Sequence, residues 1–72
     1  MINSVQCKMA RAALGWGVRD LAKNSEVSID TITRLERGET LLPRTVSAIE
    51  KTFVEAGIEF FNGTGVKLHP TK

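Results

Sequence analysis

The sequence predicts a mainly α domain of four to five helices, followed by a short β-hairpin at the carboxyl end. Apolar residues recur at spacings of three and four along the first four-fifths of the 72 residues, which is the period of amphipathic helices. Gly15, Gly38 and Gly57 stand where these helices end, because glycine readily adopts the left-handed backbone that stops a helix. Beyond Gly57, short β-prone runs flank the turn sequence at 62–65. At 42% hydrophobic residues, a chain of this length supports one small core.

The first two predicted helices lie before the midpoint of the chain. Ser4 is a good amino-terminal cap for the first helix. An apolar stripe follows it, made of Val5, Met9, Ala12 and Ala13. The second helix is short, covers residues 18–24, and points Val18, Leu21 and Ala22 inward.

Two further helices follow, each with its own start signal. Ser28 caps the third helix, whose inward pair is Ile32 and Leu35. Pro43 suits the first turn of the fourth helix because its missing N–H has no partner there in any case. The inward residues of the fourth helix are Val46, Ile49 and Phe53.

The predicted hairpin follows the helical segment 1–57, occupies residues 58–68, and precedes a flexible tail at 69–72. A lone hairpin is only marginally stable in water, so it must pack against something. One interpretation is a dimer interface, which would also cover exposed aromatic area. The predicted interface residues are Ile58, Phe60, Phe61 and Val66. The other interpretation is a hairpin folded back onto its own fourth helix.

Composition narrows the classes of function. Ten basic against eight acidic side chains give a net charge of +2, which is compatible with a polyanionic partner. The single cysteine, Cys7, forms no internal disulfide and favours a reducing, cytoplasmic location. The sequence contains no apolar run of membrane-spanning length, and since no charged-then-apolar stretch at its amino end suggests export, we expect no export leader. One histidine, His69, and scattered carboxylates make no nucleophile–base pair or metal cluster. We therefore expect no enzyme activity, no cofactor, no metal and no small-molecule ligand.

The most informative segment is the pair of short helices with its connecting turn. At 20–39 the chain reads DLAKNSEVSIDTITRLERGE. Ala22 is small where the two helices cross, and Val27 inserts the turn into the core. With these residues and Ile32 and Leu35 inward, the rest of the third helix faces away. A helix presented in this way fits the major groove of B-DNA, about 12 Å wide.

This segment resembles the helix-turn-helix of the phage-repressor (Cro/C1, XRE-like) family, and the resemblance extends over residues 11–56. It implies a lambda-repressor-like bundle and a sequence-specific transcriptional regulator. Such a protein binds palindromic double-stranded operator DNA as a homodimer, with the recognition helix at 28–37 in the major groove.

The resemblance also implies residue roles. Residues matching base-reading positions are Ile29, Asp30, Thr33 and Arg34. Residues matching phosphate contacts are Ser28, Thr31, Arg37 and Arg44. Arg11 and Glu36 match a structural ion pair between the first and third helices. Two of these residues have simpler interpretations: Asp30 also favours the helix dipole without DNA, and an ordinary solvated arginine is the alternative for Arg34.

The sequence departs from the family pattern at several phosphate-contacting positions. Gly17 and Val18 replace a polar cap and a glutamine, and Glu26 replaces the usual turn glycine. Glu26 must either adopt a left-handed conformation or force a different turn. Glu39, Leu41 and Leu42 occupy a loop that is commonly basic. These departures keep open an alternative: a protein-interaction module of antiactivator or antitoxin-like type on a helix-turn-helix scaffold.

Overall fold

Four helices and one antiparallel hairpin make up the part of the chain that the structure, a computed structural model, describes: residues 1–70. The elements are α1 (Ser4–Leu14), α2 (Val18–Ser25), α3 (Ile29–Glu36), α4 (Pro43–Glu55), β1 (Ile58–Phe61) and β2 (Gly65–Leu68). The predicted fold class, mainly α with a carboxyl-terminal hairpin, is confirmed.

The amino-terminal cap of helix α1 is Asn3, one residue before the predicted cap Ser4. The Asn3 side-chain oxygen accepts from the Gln6 backbone N–H at 2.9 Å. In return, the Gln6 side-chain oxygen accepts from the Asn3 backbone N–H at 3.1 Å. This reciprocal capping box satisfies two backbone donors that a helix start leaves free. At the other end, Gly15 is left-handed with φ 70°, as predicted.

The predicted inner face of α1 is wrong. The buried residues are Gln6, Cys7 and Ala10, whereas Val5 is 45% exposed. Ala12 and Ala13, the other end of the predicted stripe, are exposed as well. Both sets have helical spacing, and the observed face differs because α1 packs against β2 as well as α3. A buried glutamine is accepted there because its polar atoms are hydrogen-bonded.

The hydrophobic core lies between the four helices and the inner face of the hairpin. Leu21, Ile32, Ile49 and Phe53 are fully buried within it. The Phe53 ring stacks on Trp16 with centroids 5.9 Å apart, and it meets Phe60 edge-to-face at 6.0 Å. These aromatic contacts join the loop after α1, helix α4 and strand β1 into one packed unit.

The hairpin packs against its own helices, β1 on α4 and β2 on α1. In the β1–β2 register Phe60 pairs with Val66, and both side chains pack against the core. Ile58 is only 2% exposed. The face that carries Ile58, Phe60 and Val66 covers the core of its own protomer, as in the interpretation of a hairpin folded back on its own helices, and contact of these residues with a second copy stays a prediction. Phe61 points the other way and is 47% exposed, as the alternation of side chains along a strand requires.

Hydrogen bonds from α1 hold the hairpin in place. The Gln6 side-chain amide donates to the carbonyl oxygens of Phe61 at 2.6 Å and Gly65 at 3.2 Å. The Asn3 side-chain amide donates to the Gly63 carbonyl oxygen at 2.7 Å. Gln6 thus caps α1 with its oxygen and binds both strands of the hairpin with its nitrogen.

The start of the predicted flexible tail is also held. The backbone N–H of His69 donates to the Gly57 carbonyl oxygen at 2.8 Å, extending the hairpin ladder by one rung. The His69 ring nitrogen Nε2 lies 2.6 Å from Glu59 Oε1. His69 is thus hydrogen-bonded to the hairpin, while the predicted flexibility of residues 69–72 stays a prediction, and residues 71–72 lie outside the described part of the chain.

Replacing Gln6 with Met keeps the length and volume of the side chain but removes its hydrogen bonds. We expect the free energy of unfolding to fall by about 1–3 kcal/mol, because two hairpin carbonyls and the backbone N–H of the cap residue Asn3 lose a partner. Urea unfolding followed by the fluorescence of Trp16 measures this change. Lys8→Met, at an exposed position of the same helix, is the matched control, with an effect within about 0.5 kcal/mol. Equal stabilities of the two variants would contradict the role given to Gln6.

Candidate nucleic-acid interface

Helices α2 and α3 form a helix-turn-helix whose inner surface is fixed by burial. Leu21 of α2 and Ile32 of α3 are fully buried, and Leu35 is 5% exposed. Ala22 and Val27 pack against this cluster from the crossing point and from the turn. Ile32 and Leu35 cannot turn outward without leaving the core, and Glu36 cannot do so without breaking its ion pair with Arg11, described below. The side of α3 that faces solvent is therefore fixed.

The turn between the helices contains the only non-glycine residue with positive φ among residues 1–70. Glu26 caps the end of α2 in left-handed backbone, with φ 60° and ψ 29°. Of the two alternatives left by the sequence, the structure has the left-handed glutamate and not a different turn. A side chain in this conformation costs about 1–2 kcal/mol, which the packing of Val27 and Leu21 offsets.

The amino end of α3 is capped by a two-way contact between hydroxyls and backbone. Ser28 Oγ accepts from the Thr31 backbone N–H at 3.1 Å and donates to Thr31 Oγ1 at 2.8 Å. The Ser28 hydroxyl thus uses its one proton within the protein, while the Thr31 hydroxyl can still donate a hydrogen bond to an acceptor outside it. The first-turn N–H groups and the positive end of the helix dipole lie beside this hydroxyl.

The outer face of α3 carries the candidate base-reading side chains. Ile29 is 47% exposed, and Asp30 and Thr33 are exposed beside it. The Arg34 side chain is 43% exposed, further along the same helix. The outer face thus offers one apolar group, one acceptor, one hydroxyl and one guanidinium within two turns of helix.

The candidate phosphate-binding residues lie at the edges of that face. Ser28, Arg37 and Arg44 are exposed, and Thr31 is half-buried. Arg44 stands at the second position of α4 and forms no salt bridge with any residue in the described range. It is therefore free to contact an anion near the start of that helix.

An acidic residue also enters this surface. Glu39 Oε1 accepts from Arg34 Nε at 2.9 Å, and Glu39 Oε2 accepts from Arg37 Nη2 at 2.7 Å and from its Nε at 3.2 Å. The hydrogen bond from Arg34, followed by that from Arg37, lowers the pKa of the Glu39 carboxyl, so it is ionised at neutral pH. From the sequence, Glu39 stood out only as a departure from a basic loop, and its two arginine partners were missed.

A second ion pair holds α3 against α1. Arg11 Nε and Nη2 donate to the two carboxylate oxygens of Glu36, each at 2.7 Å, and Arg11 Nη1 donates to the Trp16 carbonyl oxygen at 3.1 Å. The Cys7 thiol adds a third donor to Glu36, at 3.1 Å. This is the pair that the resemblance implied, and it is two-pronged and largely shielded, with side chains 21% and 10% exposed.

Burial and hydrogen bonding act in opposite directions on this pair. Burial alone would raise the pKa of Glu36, but hydrogen bonds from Arg11 and Cys7 and the Arg11 charge outweigh it, and the pKa of the carboxyl is lowered. Burial, then the hydrogen bond to Glu36, raise the pKa of the Cys7 thiol far above its ordinary value. Cys7 is therefore a protonated donor inside the core rather than a thiolate.

Residues 1–70 contain neither a metal-binding cluster nor a membrane-spanning helix. No group of three or more His, Cys, Asp or Glu side chains among residues 1–70 is arranged to bind a metal ion. Within the same range, no helix combines the length and the apolar character needed to cross a bilayer.

The family model of the helix-turn-helix domain matches residues 5–56, which is more than half of the chain, so the protein belongs to this family. Neither the curated proteins nor the solved structures contain a match to the chain. Helix-turn-helix domains are DNA-binding modules of regulators and are typically not enzymes. The matched region contains α2, α3 and the ion pair that joins α3 to α1.

The lowered pKa of Glu36 predicts how stability depends on pH. Stability from this carboxylate is present above its ordinary pKa of 4.5 and is lost as the pH falls through the lower value of the folded state. At pH 7, Glu36→Gln should lower the free energy of unfolding by about 2–3 kcal/mol, because Arg11 loses its anion. The difference from wild type should shrink as the pH drops below 4.5.

Glu55→Gln is the matched control, since Glu55 is exposed at the end of α4 and forms no ion pair within the described chain. Chemical unfolding at a series of pH values measures both variants. Stability curves of wild type and Glu36→Gln that run parallel down to pH 3 would contradict the assignment.

Proposed function

We propose that this protein is a sequence-specific DNA-binding transcriptional regulator of the Cro/C1 (XRE-like) type, with α3 as its recognition helix. The observation that carries the proposal is the outer face of α3: four side chains with different hydrogen-bonding and apolar character project from a helix whose inner face is locked in the core. Membership of the helix-turn-helix family supports it.

Each outer side chain of α3 matches a chemical feature of the major groove. Arg34 can donate two hydrogen bonds to guanine O6 and N7, and Asp30 can accept from a cytosine amine. Ile29 is an apolar side chain in water whose exposure falls when it meets a thymine methyl group. Thr33 can donate or accept, and so adds contact without strong preference.

Phosphate contacts set the register of the helix on the duplex. Thr31 donates its hydroxyl at the amino end of α3, where the helix dipole and free N–H groups also favour an anion. Ser28 orients that hydroxyl, and Arg37 and Arg44 add positive charge at the other edges of the face.

The regulator acts as a homodimer on a palindromic operator. Gly17 and Val18 lack side-chain donors, so one copy makes few phosphate contacts and binds weakly. Two copies on half-sites about 34 Å apart double the contacts and read the sequence twice. Of the four residues first predicted for the interface, Phe61 retains an exposed ring, and we place it at the contact between copies.

Substitution of Arg34 tests direct readout. Operator DNA is first selected from a random duplex pool with the wild-type protein, and binding is then measured by fluorescence anisotropy. Arg34→Ala should weaken binding to the selected site by about 5- to 150-fold and abolish the preference for guanine at one position. Arg34→Lys retains the charge but not the two-pronged fork, and should lose the preference while keeping most non-specific affinity.

Lys51→Ala, which removes one exposed positive charge from α4, is the control for charge alone. Equal effects of Arg34→Ala and Lys51→Ala would contradict direct readout by Arg34. Binding by the wild type should also weaken steeply with salt, because phosphate contacts release counterions. Absence of binding to any duplex would instead favour the protein-interaction module.

A further inference from the structure

The position of Glu39 is fixed by the backbone that ends α3. The Gly38 N–H donates to the Leu35 carbonyl oxygen at 2.9 Å, and the Glu39 N–H donates to the Arg34 carbonyl oxygen at 3.1 Å. Together with the φ of 95° at Gly38, these two bonds form a Schellman motif. The motif turns the chain back over the last turn of α3. Its backbone hydrogen bonds therefore place Glu39 beside Arg34.

The contact between the two side chains uses one edge of the guanidinium. Glu39 Oε1 accepts from Arg34 Nε at 2.9 Å, and no other side-chain hydrogen bond of Arg34 occurs within residues 1–70. The two terminal nitrogens, Nη1 and Nη2, are therefore open to another acceptor. These are the two donors that an arginine uses when it meets guanine end-on.

The carboxylate is itself held in orientation. Its second oxygen, Oε2, accepts two hydrogen bonds from Arg37, so each oxygen serves a different arginine. A carboxylate that only neutralised positive charge would not need to bind one arginine with each of its two oxygens. Here the bonds from Arg37 keep the plane of the Glu39 carboxylate, and hence the Nε bond to Arg34, in one arrangement.

We propose that Glu39 is a positioning residue that directs the free end of the Arg34 guanidinium toward a guanine in the major groove. This inference rests on the proposed function and adds a residue to it. If the long Arg34 side chain is already held in place before DNA binds, less conformational entropy is lost when the complex forms. The same negative charge near the phosphates weakens non-specific binding. Glu39 thereby lowers the non-specific affinity for DNA and raises the selectivity for guanine.

The effect of Glu39→Gln distinguishes positioning from simple neutralisation. Two measurements are made by fluorescence anisotropy on the full chain: affinity for a duplex of unrelated sequence, and the preference for guanine over adenine at the Arg34-dependent position of the selected duplex. Glu39→Gln should tighten non-specific binding and reduce the guanine preference by about 3- to 10-fold. Glu55→Gln, with the same charge change at an exposed position on α4, should leave the preference unaltered.

A double-mutant cycle shows whether the effect passes through Arg34. In an Arg34→Ala background, Glu39→Gln should no longer change base preference at that position, although it should still tighten non-specific binding because Arg37 is released. Far-UV circular dichroism and thermal unfolding of each variant verify the fold, which an exposed substitution should leave intact.

Three outcomes would overturn the proposal. An unchanged guanine preference in Glu39→Gln would show that Glu39 only neutralises charge, while leaving the DNA-binding function in place. A guanine preference that survives in the Arg34→Ala background and falls again on Glu39→Gln would show that Glu39 acts by another route. A wild-type protein that binds no duplex would remove both this inference and the proposed function.

Discussion

Ile32 and Leu35 hold α3 in the core, and the chemistry of the outer surface depends on that packing. Burying side chains of this size contributes about 1.5–3 kcal/mol each. The Arg11–Glu36 pair adds less net stability, since desolvation opposes it, but it is expensive to break from one side. Apolar burial therefore holds α3 in place, and the ion pair sets its rotation and its distance from α1. With both in place, Arg34 and its neighbours have only one direction in which to face.

Arginine–glutamate pairs serve two different purposes in this small domain. Arg11 and Glu36 meet through two parallel hydrogen bonds in a setting where water is largely excluded. Arg34 and Glu39 meet through Nε alone, with both side chains more than 40% exposed. An exposed pair contributes little to folding, so the arrangement of the second pair can serve a ligand instead of the stability of the fold. The charges are the same in each pair, and burial determines which one stabilises the fold.

Much of the helical framework could be predicted from local sequence signals, since caps and glycine stops act over a few residues. Ser28, Pro43 and Gly15 fall where those signals placed them. The inner face of α1 could not be predicted, because two faces of that helix have apolar residues at helical spacing and the contact with β2 selects between them. The capping box of Asn3 with Gln6 was available as a sequence signal, but its second role in holding the hairpin depends on long-range contacts. The bonds from Glu39 to Arg34 and Arg37 depend on how the chain turns back after α3 and on side-chain conformations, which the helix-stop signal at Gly38 does not specify.

Amide chemical shifts recorded during a DNA titration test the central claim most directly, because they report which surface the duplex touches. The account predicts that the largest changes map to the outer residues of α3 and the start of α4, from Ser28 to Arg37 and at Arg44. The inner face of the hairpin, around Ile58 and Val66, should change little. Shifts concentrated on the hairpin or on the carboxyl half of α4, with α3 unaffected, would contradict the assignment of α3 as the recognition helix.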